Sequence, residues 1–299
     1  MKIQSHSFQQ FGNISLVQFS TLEGEGLPFL PAGPALDSGK LVIKEITNSG
    51  SVNYLLAINT SDDYLLLTDM DMLTGAKQNR VINVSVIIKP NSKQEINVSC
   101  VERSRWDYDS PKFATGKRVM DPKARLKKIV SLKEDHKTGA NATQGEMWEH
   151  ISESLLSNKL HAPTENYDAF LEDTEKKHSE KKIEFTPDKS CNGLAIFDNK
   201  TLVSFDLFGN RNTYAYYFSK LERNAAFQVR DEKTTGKMKQ AEAFYSLGEF
   251  MDYFEEKLEE PNRSDPGRTG NLRWSGIDKN PGFNLTMDNQ LVHMAGFSK

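Results

Sequence analysis

Cysteine is scarce in this chain, and that scarcity removes two architectures at once. Cys100 and Cys191 are the only two among 299 residues, so no disulfide framework exists and no spacing matches a zinc or iron–sulfur site. Long apolar runs are also missing. Nothing approaches the ~20 consecutive apolar residues of a spanning helix, and the opening Met1-Lys2-Ile3-Gln4-Ser5-His6 carries no apolar stretch of the signal-peptide kind. These absences predict a cytoplasmic protein with no membrane partner. Excess charge of one sign is lacking too: the net charge is −3, which gives no support to bulk nucleic-acid binding. Any basic site is therefore local. Gly24-Glu25-Gly26 and Leu30-Pro31-Ala32-Gly33-Pro34 read as turns, because no strand-to-helix transition with phosphate-loop spacing follows them. No cluster of metal ligands and no nucleophile–base motif occurs, so neither a metal nor a cofactor is expected.

A hydrophobic content of 37% with 26% charged residues is enough to bury a substantial core. The patterning predicts an α+β chain, with an N-terminal β-sandwich or barrel-like unit followed by a mixed α+β unit. Its expected divisions are a β-rich unit over 1–120, a helical segment over 121–190 and an α+β unit over 191–299. Short strand-like runs fill the first part: Ile14 to Phe19, Leu41 to Ile46, Tyr54 to Ile58 and Tyr64 to Leu67. Asp121-Pro122 is a good N-cap and first-turn pair for a helix running to about Leu132. A turn-rich link, His136 to Ala142, precedes a helix opening on Thr143-Gln144-Gly145-Glu146, which has the form of a capping box. Met147, Trp148, Ile151, Leu155 and Leu156 share its inward face. A third helix from Thr164 runs into the charged tract Glu172 to Lys182. Further on, Leu194 to Phe197 and Leu202 to Phe205 are strands turning on Asp198-Asn199-Lys200, and helices are expected over Thr213 to Val229 and Met238 to Glu259. The aromatic stripe of the last helix, including Phe244, Tyr245, Phe250 and Phe254, reads as core. After the breaker run Pro261 to Gly270 come strands at Leu272 to Ile277, Phe283 to Met287 and Leu291 to Ala295.

One region concentrates polar chemistry. Val81 to Ile88 and Ile96 to Val101 are rich in β-branched residues and flank the turn-forming Lys89-Pro90-Asn91-Ser92-Lys93-Gln94-Glu95. Pairing them as one hairpin sets Arg80 beside Ser104 and Gln78 near Trp106. Lys77, Gln78, Asn79, Arg80, Glu102, Arg103, Arg105 and Trp106 then gather at its open end, a composition suited to an anionic ligand with a stackable ring. Asp69 and Asp71 supply neighbouring acid. Each residue also has a plainer role: Arg80 and Glu102 as a pair pinning the hairpin, Trp106 as a core anchor, and Cys100, alternating with Ile96 and Val98, as a small hydrophobe. Asp206, placed just past a strand end, fits either a site or a helix entry.

The segments Asp69 through Arg80, Val98 through Glu102 with Arg105-Trp106, Gln144-Gly145-Glu146-Met147-Trp148 and Phe205-Asp206-Leu207-Phe208 resemble the ADP-ribosylglycohydrolase- and rhodanese-phosphatase-associated protein family of bacteria, over roughly Leu36 to the C-terminus. Two positions depart from that pattern: Met70-Asp71 replaces a usual Gly-Glu pair, and Ser104 a usual Gly. The resemblance implies no particular reaction, but its gene neighbours imply NAD-derived or ADP-ribosyl metabolism. Three functions stay open. In the first, the protein binds or senses a phosphorylated nucleotide of the NAD/ADP-ribose type, with Arg80, Arg103 and Arg105 (and Lys77 beside them) on phosphates, Gln78 and Asn79 on hydroxyls or base edges, and Trp106 on the ring. The second is a hydrolase or transferase acting through Glu102, Asp69 or Asp71 as acid/base or metal-binding carboxylates, with Glu102 and Asp71 the catalytic pair. The third is an interaction subunit whose hairpin end docks a protein partner through Trp and Arg.

Overall fold

The computed structural model describes residues 1–22, 25–138, 142–178, 183–230, 237–259, 269–276 and 279–299. Gly24, residues 139–141 of the expected link, 179–182 of the charged tract, 261–268 of the breaker run, and Ile277 lie outside the described residues. Contacts group the chain into two compact units. One comprises Met1–Pro28, Lys181–Pro266 and Gly270–Lys299, the other Phe29–Glu180 and Gly267–Thr269. Among the described residues they hold sixteen strands and six helices, an α+β chain.

The discontinuous unit is built on a seven-stranded sheet in which every neighbouring pair is antiparallel. Its strands are β1 (Ile3–Phe11), β2 (Ile14–Thr21), β12 (Gly193–Asp198), β13 (Thr201–Phe208), β14 (Asn271–Ser275), β15 (Gly282–Met287) and β16 (Gln290–Phe297), ordered β1-β2-β12-β13-β16-β15-β14. The Ile14 to Phe19 strand, expected in one unit with the polar hairpin, thus pairs with a C-terminal strand, β2 lying against β12 through Phe19↔Gly193 to Ile14↔Asp198, while β1 pairs with β2. Alternation along β2 shows why it is central. Val17 and Phe19 pack with Ala243, Leu247, Met251 and Phe254 of helix α6 (Gln240–Glu256), whereas the intervening Gln18 accepts a hydrogen bond from Tyr214 of α5 (Arg211–Ala226) at 2.9 Å. A helix covers each face, so neither set of side chains meets water. Asn199 provides the positive φ of the β12–β13 turn, at 55°. Tyr245 of α6, expected inward, is 68% exposed, since the sheet takes only the stripe through Ala243, Leu247, Met251 and Phe254. Asp206 lies inside β13 rather than past its end, with Oδ1 3.2 Å from His293 Nε2.

The central unit carries a six-stranded antiparallel sheet of β4 (Leu41–Glu45), β5 (Tyr54–Asn59), β7 (Asp71–Gly75), β8 (Arg80–Ile82), β10 (Ser92–Cys100) and β11 (Phe113–Val119), ordered β11-β7-β8-β10-β5-β4. It curls so far that its edge strands β4 and β11 come within 8 Å. A small sheet of β3 (Leu30–Pro31), β6 (Leu65–Leu67) and β9 (Val86–Ile88) accompanies it. The interior holds Leu41, Ile43, Leu55, Leu73, Ile82, Ile96, Val98 and Phe113, with Ala32 and Ala35 of the short helix α1 (Ala32–Asp37). On the outer side, Met72, Val81 and Val101 meet Ala124 of α2 (Pro122–Thr138), Met147, Ile151 and Leu155 of α3 (Thr143–Ser157), and Tyr167 and Leu171 of α4 (Tyr167–His178). Each such aliphatic side chain contributes about 1.5–3 kcal/mol on burial.

Three local expectations change. The hairpin is only half formed: Val98 to Cys100 pair with Ile82 to Arg80, but Val86 to Ile88 turn away to pair with β6, and the first part of β10 pairs with β5. One long strand satisfies two short ones because the 83–85 segment breaks the run, Asn83 and Ser85 being buried polar residues. Thr143 makes no capping box; its amide and hydroxyl donate to Asp135 at 3.0 and 2.5 Å. Leu156 is 78% exposed, one residue beyond the buried face. Asp121 does cap α2, its Oδ1 accepting from the amides of Lys123 and Ala124 at 2.8 and 3.2 Å.

Candidate functional site

Most of the polar residues come together, by a shorter register than one hairpin would give. Arg80 pairs with Cys100 on the neighbouring strand, so the tight turn before it, residues 75–79, meets the segment after it, residues 101–110. Gly75 has φ 102°, and a Cβ there would lie 2.4 Å from Ser110 Oγ, so only glycine fits. Ala76 takes φ 44°. Its amide donates to Ser110 Oγ at 3.0 Å, and its carbonyl accepts from Arg105 Nη1 at 2.7 Å.

Arg105 is the pin of this turn. Besides Ala76 it donates to the carbonyls of Asp107 and Gly75, to Asn79 Oδ1 at 3.2 Å, and to Glu102 Oε2 from both Nε and Nη2 at 3.0 and 2.7 Å. Glu102 also accepts from the Asn79 amide at 3.2 Å. Burial pushes the Glu102 carboxyl up, but the hydrogen bonds from Arg105, Thr164 and Asn79 outweigh it, and the group titrates below the usual range. Both side chains are therefore committed to holding the loop. Asn79 is similarly engaged, its Oδ1 accepting from the Gly75 amide at 3.0 Å and its Nδ2 facing Asn166 at 3.4 Å. Arg103 lies 5.4 Å above the Trp148 ring and 3.5 Å from Glu165, on the helical side. Asp71 is not brought to this cluster. It sits at the other end of β7, buried, where its Oδ2 accepts from the Thr68 amide and hydroxyl at 2.8 and 2.9 Å.

Arg80 behaves differently. Ile82 points into the curled sheet, so Arg80, two residues earlier, shares that inner face. It is fully buried. Nη1 donates to Gln78 Oε1 at 2.9 Å, whereas Nε and Nη2 make no hydrogen bond among the described residues. Burial lowers its pKa despite Cys100 and Glu45 nearby. Facing it is Glu45, which the sequence motifs do not include. Leu41 and Ile43 are interior residues of β4, and Glu45 follows on the same face, a charge at an inward position that was itself the available signal. Glu45 Oε1 stands 3.9 Å from Arg80 Nη2, and neither carboxylate oxygen accepts a hydrogen bond among the described residues. Cys100 is buried on the same inner face, its thiol pushed up to about 11 by burial, so it is a small core residue rather than a nucleophile.

Aromatic rings cover this pair. The Trp106 ring lies 5.5 Å from both the Arg80 guanidinium and the Lys77 ammonium, and Tyr108 lies 5.1 Å from Lys77. Lys77 also donates to the Ser49 carbonyl at 3.1 Å. Gly50 makes the close packing possible: at φ 81°, an added Cβ would fall 3.0 Å from Trp106, 3.2 Å from Lys77 and 3.4 Å from Glu45 Oε2. Trp106 is 39% exposed, so it is a rim residue and not a core anchor. Beside this cluster, where β4 and the segment entering β11 part, opens a cleft of about 620 Å³ walled by Glu45 to Asn48 on one side and Tyr108 to Pro111 on the other. Such a mouth in a curled sheet is a common ligand position.

The two ends of the chain's strongest motifs thus meet at one place in the central unit, and whole-chain comparison bears on what kind of protein carries them. The model of the ARG and Rhodanese-Phosphatase-superfamily-associated Protein domain, ARPP-1, matches residues 2–297. The chain belongs to this family. No curated protein and no solved structure matches it significantly. In this ARPP-1 chain the motif residues Gln144 to Trp148 have a visible structural role. The Gln144 side chain accepts from the Cys100 amide at 2.7 Å and donates to its carbonyl at 3.1 Å, completing the pairing of β10 where no strand continues it. No helix among the described residues is long and apolar enough to cross a membrane.

Proposed function

We propose that this ARPP-1 protein binds a nucleotide of the NAD/ADP-ribose type in the cleft at the mouth of its curled sheet. The observation that carries the proposal is the unclosed Glu45–Arg80 pair. Two desolvated charges held 3.9 Å apart without a hydrogen bond between them are a poor way to stabilise a fold, and buried groups in this state concentrate where a ligand completes them. Tyr108 on the cleft wall and Trp106 on its rim offer faces for a base. Lys77 and Arg80 supply the local positive field for phosphate, with Gln78 holding Arg80 in place. Glu102, Arg105 and Asn79 keep the loop in shape. The family's name records association with ADP-ribosylglycohydrolase and rhodanese-phosphatase proteins, which agrees with this ligand class.

Thermal-shift measurements against NAD, ADP-ribose, cyclic ADP-ribose and mono- and dinucleotides, with and without divalent metal, test the reading. A ligand at ~100 times its dissociation constant stabilises the native state by about 2.7 kcal/mol, a rise of several degrees. Tyr108→Ala and Trp106→Ala should abolish the rise while unfolding at nearly the wild-type temperature. Product analysis of the bound compound separates a binder from an enzyme. If no nucleotide shifts the wild type, the proposal fails and a protein partner takes its place.

A further inference from the structure

Resting on the nucleotide reading above, we infer that Glu45 reads the ribose: its carboxylate accepts hydrogen bonds from the vicinal hydroxyls of the ligand's sugar, and the cleft takes the sugar end of the molecule rather than its phosphates. Charge along the wall points this way. Among the lining residues Lys44 is the one cation, opposed by Glu45 and Asp109, while Thr47, Asn48 and Ser110 offer neutral polar groups and Tyr108 a ring. A phosphate in that setting meets two carboxylates, whereas a polyol meets acceptors. Glu45 is the wall residue with the largest unmet demand. Both of its oxygens are buried, neither accepts a hydrogen bond among the described residues, and Arg80 supplies counter-charge from 3.9 Å without occupying them. A carboxylate presents two oxygens in a fork, and a vicinal diol presents two donors at matching separation. The phosphates then run toward Lys77, whose ammonium stands 5.5 Å from the Trp106 ring and 5.1 Å from the Tyr108 ring.

This geometry predicts discrimination at the 2′ position. Removing the 2′-hydroxyl leaves half of the buried acceptor unpaired, and replacing it with phosphate sets like charges together; sites built to bond a hydroxyl reject analogues lacking it strongly. Isothermal titration of the full chain with AMP, ADP and ADP-ribose, each beside its adenosine 2′-deoxy and 2′-phospho counterparts, supplies the test. The deoxy forms should bind at least tenfold more weakly and the 2′-phospho forms at least a hundredfold more weakly. In Glu45→Gln, checked for native unfolding temperature and near-ultraviolet dichroism, the deoxy penalty should shrink to within about threefold and the 2′-phospho penalty should fall more than any other. Equal binding of ribo and deoxy forms by the wild type overturns the inference and leaves nucleotide binding intact. Absence of binding by every ribonucleotide overturns both. Should Glu45→Gln fail to fold, the wild-type series decides alone.

Discussion

Two of the buried charge clusters in the central unit are solved in opposite ways. Under helix α2, Arg125 grips both oxygens of Asp69 at 2.8 and 3.0 Å, and Lys128 donates to the carbonyls of Asp69 and Ile82, all of these side chains fully enclosed. At the mouth of the sheet, Glu45 and Arg80 are equally enclosed yet stand 3.9 Å apart with most of their bonding capacity unused. The first arrangement is a finished joint between helix and sheet: a bidentate ion pair with two carbonyls taking the neighbouring ammonium. The second lies against a cleft of about 620 Å³ and beneath part-exposed rings. Burial of charge alone therefore does not separate the two; unmet hydrogen bonding beside a cavity does.

The contrast breaks most directly at the finished joint. Asp69→Ala should destabilise the central unit by about 3–5 kcal/mol, because it removes the carboxylate that balances the buried Arg125 charge; urea unfolding of the two proteins measures it, and a loss below about 1 kcal/mol would erase the distinction. The opposite response is expected at the mouth. Glu45→Leu combined with Arg80→Met should leave stability unchanged or raise it by about 1–4 kcal/mol, as hydrophobic replacements of buried pairs do, while removing any nucleotide-induced thermal shift. A double variant as unstable as Asp69→Ala would make the mouth pair another joint. A different test lies in pH. Burial pushes the Lys128 ammonium from the usual 10.5 down to about 7, against the pull of Asp69. The folded chain therefore holds fewer protons than the unfolded chain between those values, and stability rises with pH across that window, by up to about 1.4 kcal/mol per unit. Lys128→Met should flatten this rise in unfolding free energies measured from pH 7 to 10, whereas Glu45→Leu should leave it in place.

Much of this was legible beforehand where a local rule governs it. Asp121-Pro122 started a helix because a side-chain acceptor and a fixed φ suffice for that. Asn199 turned a hairpin because asparagine tolerates the left-handed region. The Gly75–Arg80 and Cys100–Trp106 clusters met because adjacent strands carried them. Roles inside the cluster were not legible, since Arg80 and Arg105 are the same residue type separated only by where their donors end. Among the described residues, five different ones accept from Arg105, whereas Gln78 and Asn79 alone accept from Arg80. Glu45 escaped notice because it lies far in sequence from the motifs it faces.

By itself the sequence determined an α+β chain, a family, the Asp121 cap and the Asn199 turn, and a polar cluster beside β8 and β10. These rest on interactions between near neighbours or on one strand pair, and their range is a few residues. Tertiary structure alone decided that β2 completes a sheet with β12, that Val86 to Ile88 leave the hairpin for β6, and that Glu45 faces Arg80 at the sheet's mouth. Those outcomes depend on which apolar faces must be covered and which strand edges must be paired, and such demands are satisfied only by segments brought together when the whole unit folds.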